Sequence, residues 1–242
     1  MENNKLSDYF EGAQKKPFAL YIDSMASSFG RYSLEQGMQF LFGWIPTFIG
    51  IGIRSLVYRV LLDKRSSDSI YAEPNVDIRY FNNIACGKKV YVDRNVRIHG
   101  SIAGIEIGDY TRVMFGSYLC SYTSDMVPGE GLHIGKNCWI GINNVLHGGR
   151  GGIWIGDNTL LAPQVVLVCG NHVLQRDENN RDSYDQQPIV IGNNCWLGAG
   201  CTILGGVKLG NNVTVAAGAV VNDSFGDNVL IGGTPARVLK NL

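Results

Sequence analysis

The chain carries four histidines, His99, His133, His147 and His172. Histidine is the side chain whose proton exchange falls nearest neutral pH. His172 stands where a short repeat breaks: it closes Leu167-Val168-Cys169-Gly170-Asn171-His172, and the next segment, to about Pro188, follows no pattern. A long loop leaving a regular scaffold can reach over a neighbouring subunit and close a cleft. Spacing alone leaves His172 open between a general base and an ordinary loop histidine. His147 is its rival, because it begins a second irregular patch, residues 147–153. His99 and His133 read as coil or turn residues. The six cysteines include no Cys-x-x-Cys pair, which argues against a zinc ribbon or a thioredoxin-type site. Gly148-Gly149-Arg150-Gly151-Gly152 is not a dinucleotide fingerprint, since no βαβ unit surrounds it.

The scaffold that positions these residues repeats every six positions. Ile191, Leu197, Ile203, Leu209, Val215 and Val221 form one unbroken aliphatic column. Upstream it continues in shorter registers: Ile107, Val113, Leu119; Ile134, Ile140, Leu146; Ile155, Leu161, Leu167. Gly often follows the aliphatic residue, and Asn, Asp or Gly come next, residues that tolerate a sharp turn. The fifth position is small or β-branched, as at Thr111, Ser117, Thr159, Val165, Val207, Val213 and Ala219. Cys138, Cys195 and Cys201 fall in the same column and read as core filler. Three such units close a triangular coil of about 18 residues, and coils stack roughly 4.8 Å apart. The reading is therefore mainly β, a parallel β-helix over residues 70–242 with a protruding loop 173–188 and a C-terminal tail.

Residues 1–69 have a different texture, with most of the helix-like pattern. No charge occurs from residue 36 to residue 53. Pro46 and several glycines break that stretch, so two short helices are expected rather than one spanning helix. Trp44 and the basic residues Arg54, Arg59, Lys64 and Arg65 suit an interfacial segment; packing on the rest of the protein or on a neighbouring subunit is the other reading. Packing is the favoured reading, and membrane-surface association through residues 36–65 is the alternative. The 242 residues hold 21 Lys+Arg against 21 Asp+Glu, a balance that argues against a nucleic-acid binder. At 17% charged residues, part of the surface is expected to be buried by assembly. No basic, apolar leader follows Met1, so the expected setting is reducing and cytoplasmic, with a peripheral place at the inner membrane face as the alternative.

Three pieces in order carry a resemblance: Gly170-Asn171-His172 with its loop; Ile191-Gly192-Asn193-Asn194-Cys195-Trp196-Leu197-Gly198; and Gly232-Gly233-Thr234-Pro235-Ala236-Arg237-Val238. With the hexads, they resemble the hexapeptide-repeat acyltransferases, in the branch of galactoside, maltose and nodulation-factor O-acetyltransferases. The resemblance implies a left-handed parallel β-helix, against the usual right-handed rule for parallel crossovers. It implies an acetyl-CoA co-substrate, a sugar or glycan acceptor, a homotrimer with sites between prisms, and no metal. His172 matches the family's general base. Trp196 matches the tryptophan beside that histidine and the thioester arm. Ala199 matches the backbone amide facing the thioester carbonyl. Ala217 and Gly218 match the strip along which pantetheine runs, Asn222 follows on the same side, and Arg237 matches the group meeting the CoA phosphates.

For the acceptor, Asn144 matches a sugar contact. Arg150 departs from the family, because sugar-specific relatives carry an acidic residue near that position. That reversal fits either an acidic or phosphorylated acceptor or a solvated, ion-paired arginine. The expected function is acetyl transfer to a sugar hydroxyl in polysaccharide or lipid-linked glycan synthesis. N-acylation of an amino sugar, a non-catalytic trimeric scaffold and a zinc hydratase on the same prism remain the alternatives.

Overall fold

The computed structural model describes residues 17–121, 129–149, 151–172 and 184–242. The side chains of Pro17, Leu20, Asn171, His172, Tyr184, Asp185 and Gln186 are outside that description. Helices run over Pro17–Met25, Phe29–Phe42 and Thr47–Leu61, and the first strand is Ile70–Ala72. From there the chain winds through three sheets of nine, seven and six strands among the described residues. Each strand pairs in parallel with the strand one coil away, as Leu160 does with Trp196 and Leu161 with Leu197. The closing hairpin, Val229–Gly233 with Ala236–Asn241, is antiparallel.

The hexad column explains this architecture. All fifteen aliphatic residues of the column are buried, forming one core along the prism. The fifth-position hydroxyls tie successive coils together. Thr111 Oγ1 donates to Gly135 O and accepts from the Cys138 N–H; Ser117 Oγ does the same with Gly141 O and the Asn144 N–H. Each hydroxyl so satisfies a donor and an acceptor that the turn leaves over. The Sγ atoms of Cys138 and Cys195 lie against Gly156 O and Gly210 O at 3.2 Å.

The helices close the first coil. Ser28 caps the second helix by accepting from the Arg31 N–H at 3.2 Å, and Pro46 starts the third. Gln39 pairs with Ile78 as another strand would: its Nε2 donates to Ile78 O, and its Oε1 accepts from Ile78 N, both at 2.9 Å. Tyr58 and Leu61 enter the prism core, Tyr58 against Phe81 with ring centroids 5.0 Å apart. Burial pushes the Tyr58 hydroxyl up to about 12.

Arg54 is fully buried and joins three pieces of chain. Its guanidinium donates to Phe42 O, Ile45 O and Ala72 O at 3.1, 2.7 and 2.9 Å. Arg54→Ala leaves three buried carbonyls without that donor set. We expect a loss of roughly 3–5 kcal/mol, read as a fall in melting temperature of about 10 °C. A shift under about 2 °C would show that water replaces the guanidinium.

His99, on the strand Arg97–His99, is buried, and its Nε2 meets Ser24 O at the end of the first helix, 2.8 Å away. Burial lowers its pKa below the ordinary 6.5. Its contribution to stability is therefore present above pH 6.5 and lost as pH falls through the depressed value. Melting temperatures at pH 7.5 and 5.5 should differ more for the wild type than for His99→Asn; equal differences would remove His99 from the acid response.

Candidate active site

Departures from an 18-residue coil locate the site. Trp196 and Thr214 are paired and 18 residues apart, an uninterrupted coil. The paired residues Trp139 and Leu160 are 21 apart, Arg112 and Trp139 are 27 apart, and Leu160 and Trp196 are 36 apart. All the extra residues leave at one corner, between the seven-stranded and six-stranded sheets. They are the short segments between Arg79 and Ile84 and between His99 and Ile105, and the segments between Cys120 and Leu132, His147 and Ile153, and Val168 and Ile189. A rigid prism thus presents its irregular segments stacked along one edge.

His147 and His172 both belong to that edge. His147 ends the strand Val145–His147, is half-buried, and pairs in register with Cys120 and Val168. His172 ends the strand Gly170–His172, which pairs antiparallel with Tyr184–Gln186 in a two-stranded sheet of its own, within the segment that leaves this corner. Residues 173–183 of the expected loop, and Arg150, lie outside the described residues.

The remaining expected residues sit elsewhere on the prism. Trp196 is outward on the nine-stranded sheet, 55% exposed. Its neighbours along that face, Leu160 and Trp139, are also exposed, so the three rungs form an apolar stripe. Ala199 and Ala217 lie one above the other at the corner between the nine- and seven-stranded sheets, and the Gly218 N–H donates to Ala199 O at 2.8 Å. Among the described residues no acceptor meets the N–H of Ala199, or of Ala217 or Ile142 at the same turn position in other coils. The corner thus carries a ladder of unpartnered amides, interrupted at Pro163. Gly218 adopts φ +69, with open space where a Cβ would stand. Asn222 is exposed beyond the strand Val220–Val221. Arg237, on the closing hairpin, reaches Asp223 Oδ2 at 3.2 Å, an exposed pair that holds the cation only weakly.

A single chain therefore joins Ala199, Ala217 and Gly218 but not His172 with them. The face of the seven-stranded sheet separates the two corners.

Asn144 requires a correction. It is fully buried: its Oδ1 accepts from the Val165 N–H at 2.7 Å, and its own N–H donates to Ser117 Oγ. It cannot touch an acceptor on the surface. It occupies the inward fifth position of its hexad, four residues after Ile140, and the repeat itself carried that signal.

The sequence reading missed an outward column on the six-stranded sheet. Glu106, His133 and Trp154 stand on successive rungs. The His133 and Trp154 rings stack 3.7 Å apart at 5°, while His133 Nδ1 meets Glu106 Oε2 at 3.3 Å and its Nε2 meets Gly129 O. Both ring nitrogens are engaged, which makes this imidazole structural. Outward positions 27 and 21 residues apart were the available signal. The cysteine thiols are buried and outside any disulfide, and burial pushes those of Cys86 and Cys201 up to about 12. Thiols so suppressed are poor nucleophiles at neutral pH. Among the described residues no three His, Cys, Asp or Glu side chains cluster to hold a metal ion.

Comparisons with known proteins agree with this architecture. Residues 188–223 match the bacterial transferase hexapeptide (six repeats) family, and residues 131–167 match the hexapeptide repeat of succinyl-transferase. A Dictyostelium discoideum protein described as an acetyltransferase is 39% identical over 151 residues, 60% of this chain and 78% of that one. Galactoside O-acetyltransferase of Escherichia coli (strain K12) is 33% identical over 114 residues, 47% of this chain and 56% of that one. The chain thus spans just over half the length of that enzyme. An N-acyltransferase from Bacillus cereus, solved with dTDP and 3-hydroxybutyryl-CoA, shares the fold at a TM-score of 0.52 and 16% identity, covering 78% of this chain and 87% of that one. The chain belongs to the hexapeptide-repeat acetyltransferase family, and the protein is an acyltransferase.

Proposed function

We propose that the protein transfers an acetyl group from acetyl-CoA to a sugar hydroxyl, within polysaccharide or lipid-linked glycan synthesis, in sites between neighbouring subunits of a trimer. The observation that carries this reading is the stacking of every insertion at one corner, His172 among them, while the amide ladder of Ala199 and Ala217 occupies another. A neighbouring prism that sets its amide corner beside the His172 hairpin completes the constellation. The exposed stripe of Trp139, Leu160 and Trp196 supports such a packing.

The imidazole of His172 takes the proton of the acceptor hydroxyl. The oxygen adds to the thioester carbonyl, and the tetrahedral oxyanion is held by the Ala199 amide, already free of any internal partner. The carbon–sulfur bond then breaks and the leaving thiolate recovers the proton from the imidazolium, giving an acetyl ester and free CoA. Pantetheine runs along Ala217 and Gly218, where small side chains let it approach the backbone. Arg237 exchanges its weak pair with Asp223 for a CoA phosphate, and Trp196 covers the thioester arm. Asn222 flanks the pantetheine path. Arg150 selects an acceptor with negative charge.

The reading is tested by following CoA thiol release with acetyl-CoA and a panel of neutral, anionic and amino-sugar glycans. Release that rises many-fold with a hydroxyl-bearing acceptor is expected. Binding of no acyl-CoA, with no stimulation by any glycan, would leave a trimeric scaffold as the better account.

A further inference from the structure

The helix Thr47–Leu61 is turned inside out. At 100° per residue, Gly50, Arg54, Tyr58 and Leu61 share one arc, and all four are buried against the first coil. The opposite arc holds Phe48, Ile49, Gly52, Leu56, Arg59 and Val60, and all six are exposed. Phe48, Leu56 and Val60 are 81, 77 and 75% exposed. The usual amphipathic helix puts its apolar arc on the protein and its polar arc in water. Here the arc against the protein contains an arginine and a tyrosine, and the arc facing away is almost wholly apolar. Phe40, Leu41 and Trp44 extend the exposed patch across the turn between the last two helices.

We propose that this outward arc docks on the surface of an anionic lipid bilayer, lying in its interface without crossing it. No helix among the described residues is long and apolar enough to span. Charge favours lipid over a second protein surface. Between Gln36 and Leu62 the sequence has no carboxylate, while Arg59 sits inside the apolar arc and Lys64 follows it, both exposed. An arginine among apolar side chains extends its head to a phosphate while its stem stays in the acyl region. Trp44, 66% exposed at the helix–helix turn, has the amphipathic ring that settles at headgroup depth. A second copy placed face to face by a twofold axis would set Arg59 against an arc of the same helix that carries no carboxylate. The proposal does not depend on the acyl-transfer reading, and its assay contains no acyl donor.

The test is co-sedimentation of the full chain with vesicles of phosphatidylglycerol and phosphatidylethanolamine, and with vesicles of phosphatidylcholine alone. Binding to the anionic vesicles is expected, weakening with salt, with Trp44 emission quenched by brominated lipid and that signal absent in Trp44→Phe. Arg59→Ala should weaken partitioning about fivefold, the effect of one basic residue at an anionic surface. The double change Phe48→Asp and Leu56→Asp should weaken it at least tenfold while leaving the melting temperature unchanged, since neither side chain is packed. If Phe48→Asp alone disturbs folding, Leu56→Asn with brominated-lipid quenching carries the same comparison. Failure of the wild type to sediment with anionic vesicles at low salt would overturn the proposal. So would a fall in oligomer mass, by light scattering, on the double substitution, because a second copy would then cover the arc.

Discussion

His172→Ala should lower kcat for acetyl transfer by about 10²- to 10⁴-fold, the usual contribution of a positioned general base. The Michaelis constant for acetyl-CoA should change little, because the pantetheine and phosphate contacts lie on other residues. Melting should also be unchanged, since the strands Gly170–His172 and Tyr184–Gln186 pair with each other in a sheet apart from the three of the prism. His147→Ala should cost far less, despite its place on the same edge. Steady-state rates for the two variants separate the histidines, and a larger loss at His147 would reverse the assignment.

The second large effect concerns a backbone amide, which side-chain substitution cannot remove. Pro163 supplies the means. It occupies the turn position one coil before Ala199, and the Gly200 N–H donates to its carbonyl at 3.0 Å. The corner therefore accepts proline at this position without losing a ladder bond. Ala199→Pro should deliver a folded protein lacking one amide donor, with kcat lowered about 10²- to 10³-fold. Wild-type rates in this variant would remove the oxyanion role. Mixing subunits extends the test. His172 and Ala199 lie at different corners of one prism, so co-refolded His172→Ala and Ala199→Pro chains should form some intact sites and regain part of the activity. Each homomer alone should stay inactive. No recovery on mixing would place both groups in one subunit.

Much of the fold was legible in the sequence because an inward column has little freedom. A strand of two or three residues turning every six leaves one large inward side chain per hexad, and from Ile107 to Val221 that position is aliphatic and buried. The same periodicity contained the answer for Asn144, which the family resemblance placed at the acceptor and the fifth-position rule placed inside. The break at Pro46 was legible as well, since proline opens the helix Thr47–Leu61. Which arc of that helix faces inward was not. The choice rests on Arg54 meeting carbonyls of residues 42, 45 and 72, groups distant in sequence that no helical period records. The Glu106, His133 and Trp154 column was hidden for a related reason: its members become neighbours only once coils of unequal length are aligned.

For the candidate site, hexad positions were legible in the sequence but contacts between corners were not. His172, Trp196 and Ala199 could each be placed on the repeat, and their distribution over separate edges follows from where the insertions leave the prism. Hexad counting identifies the corner at which a residue lies; it does not say which corner of a neighbouring chain comes to meet it.

Direct transfer from thioester to hydroxyl is read from the fate of a labelled acetyl group. The protein is incubated with radiolabelled acetyl-CoA and a glycan acceptor and quenched in acid during turnover. The label is then counted on protein and on glycan before and after mild alkali. Direct attack leaves label on the glycan, released by alkali as acetate, with none held covalently by the protein. Label retained on the protein would contradict direct attack, and alkali-stable label on the glycan would contradict an ester product.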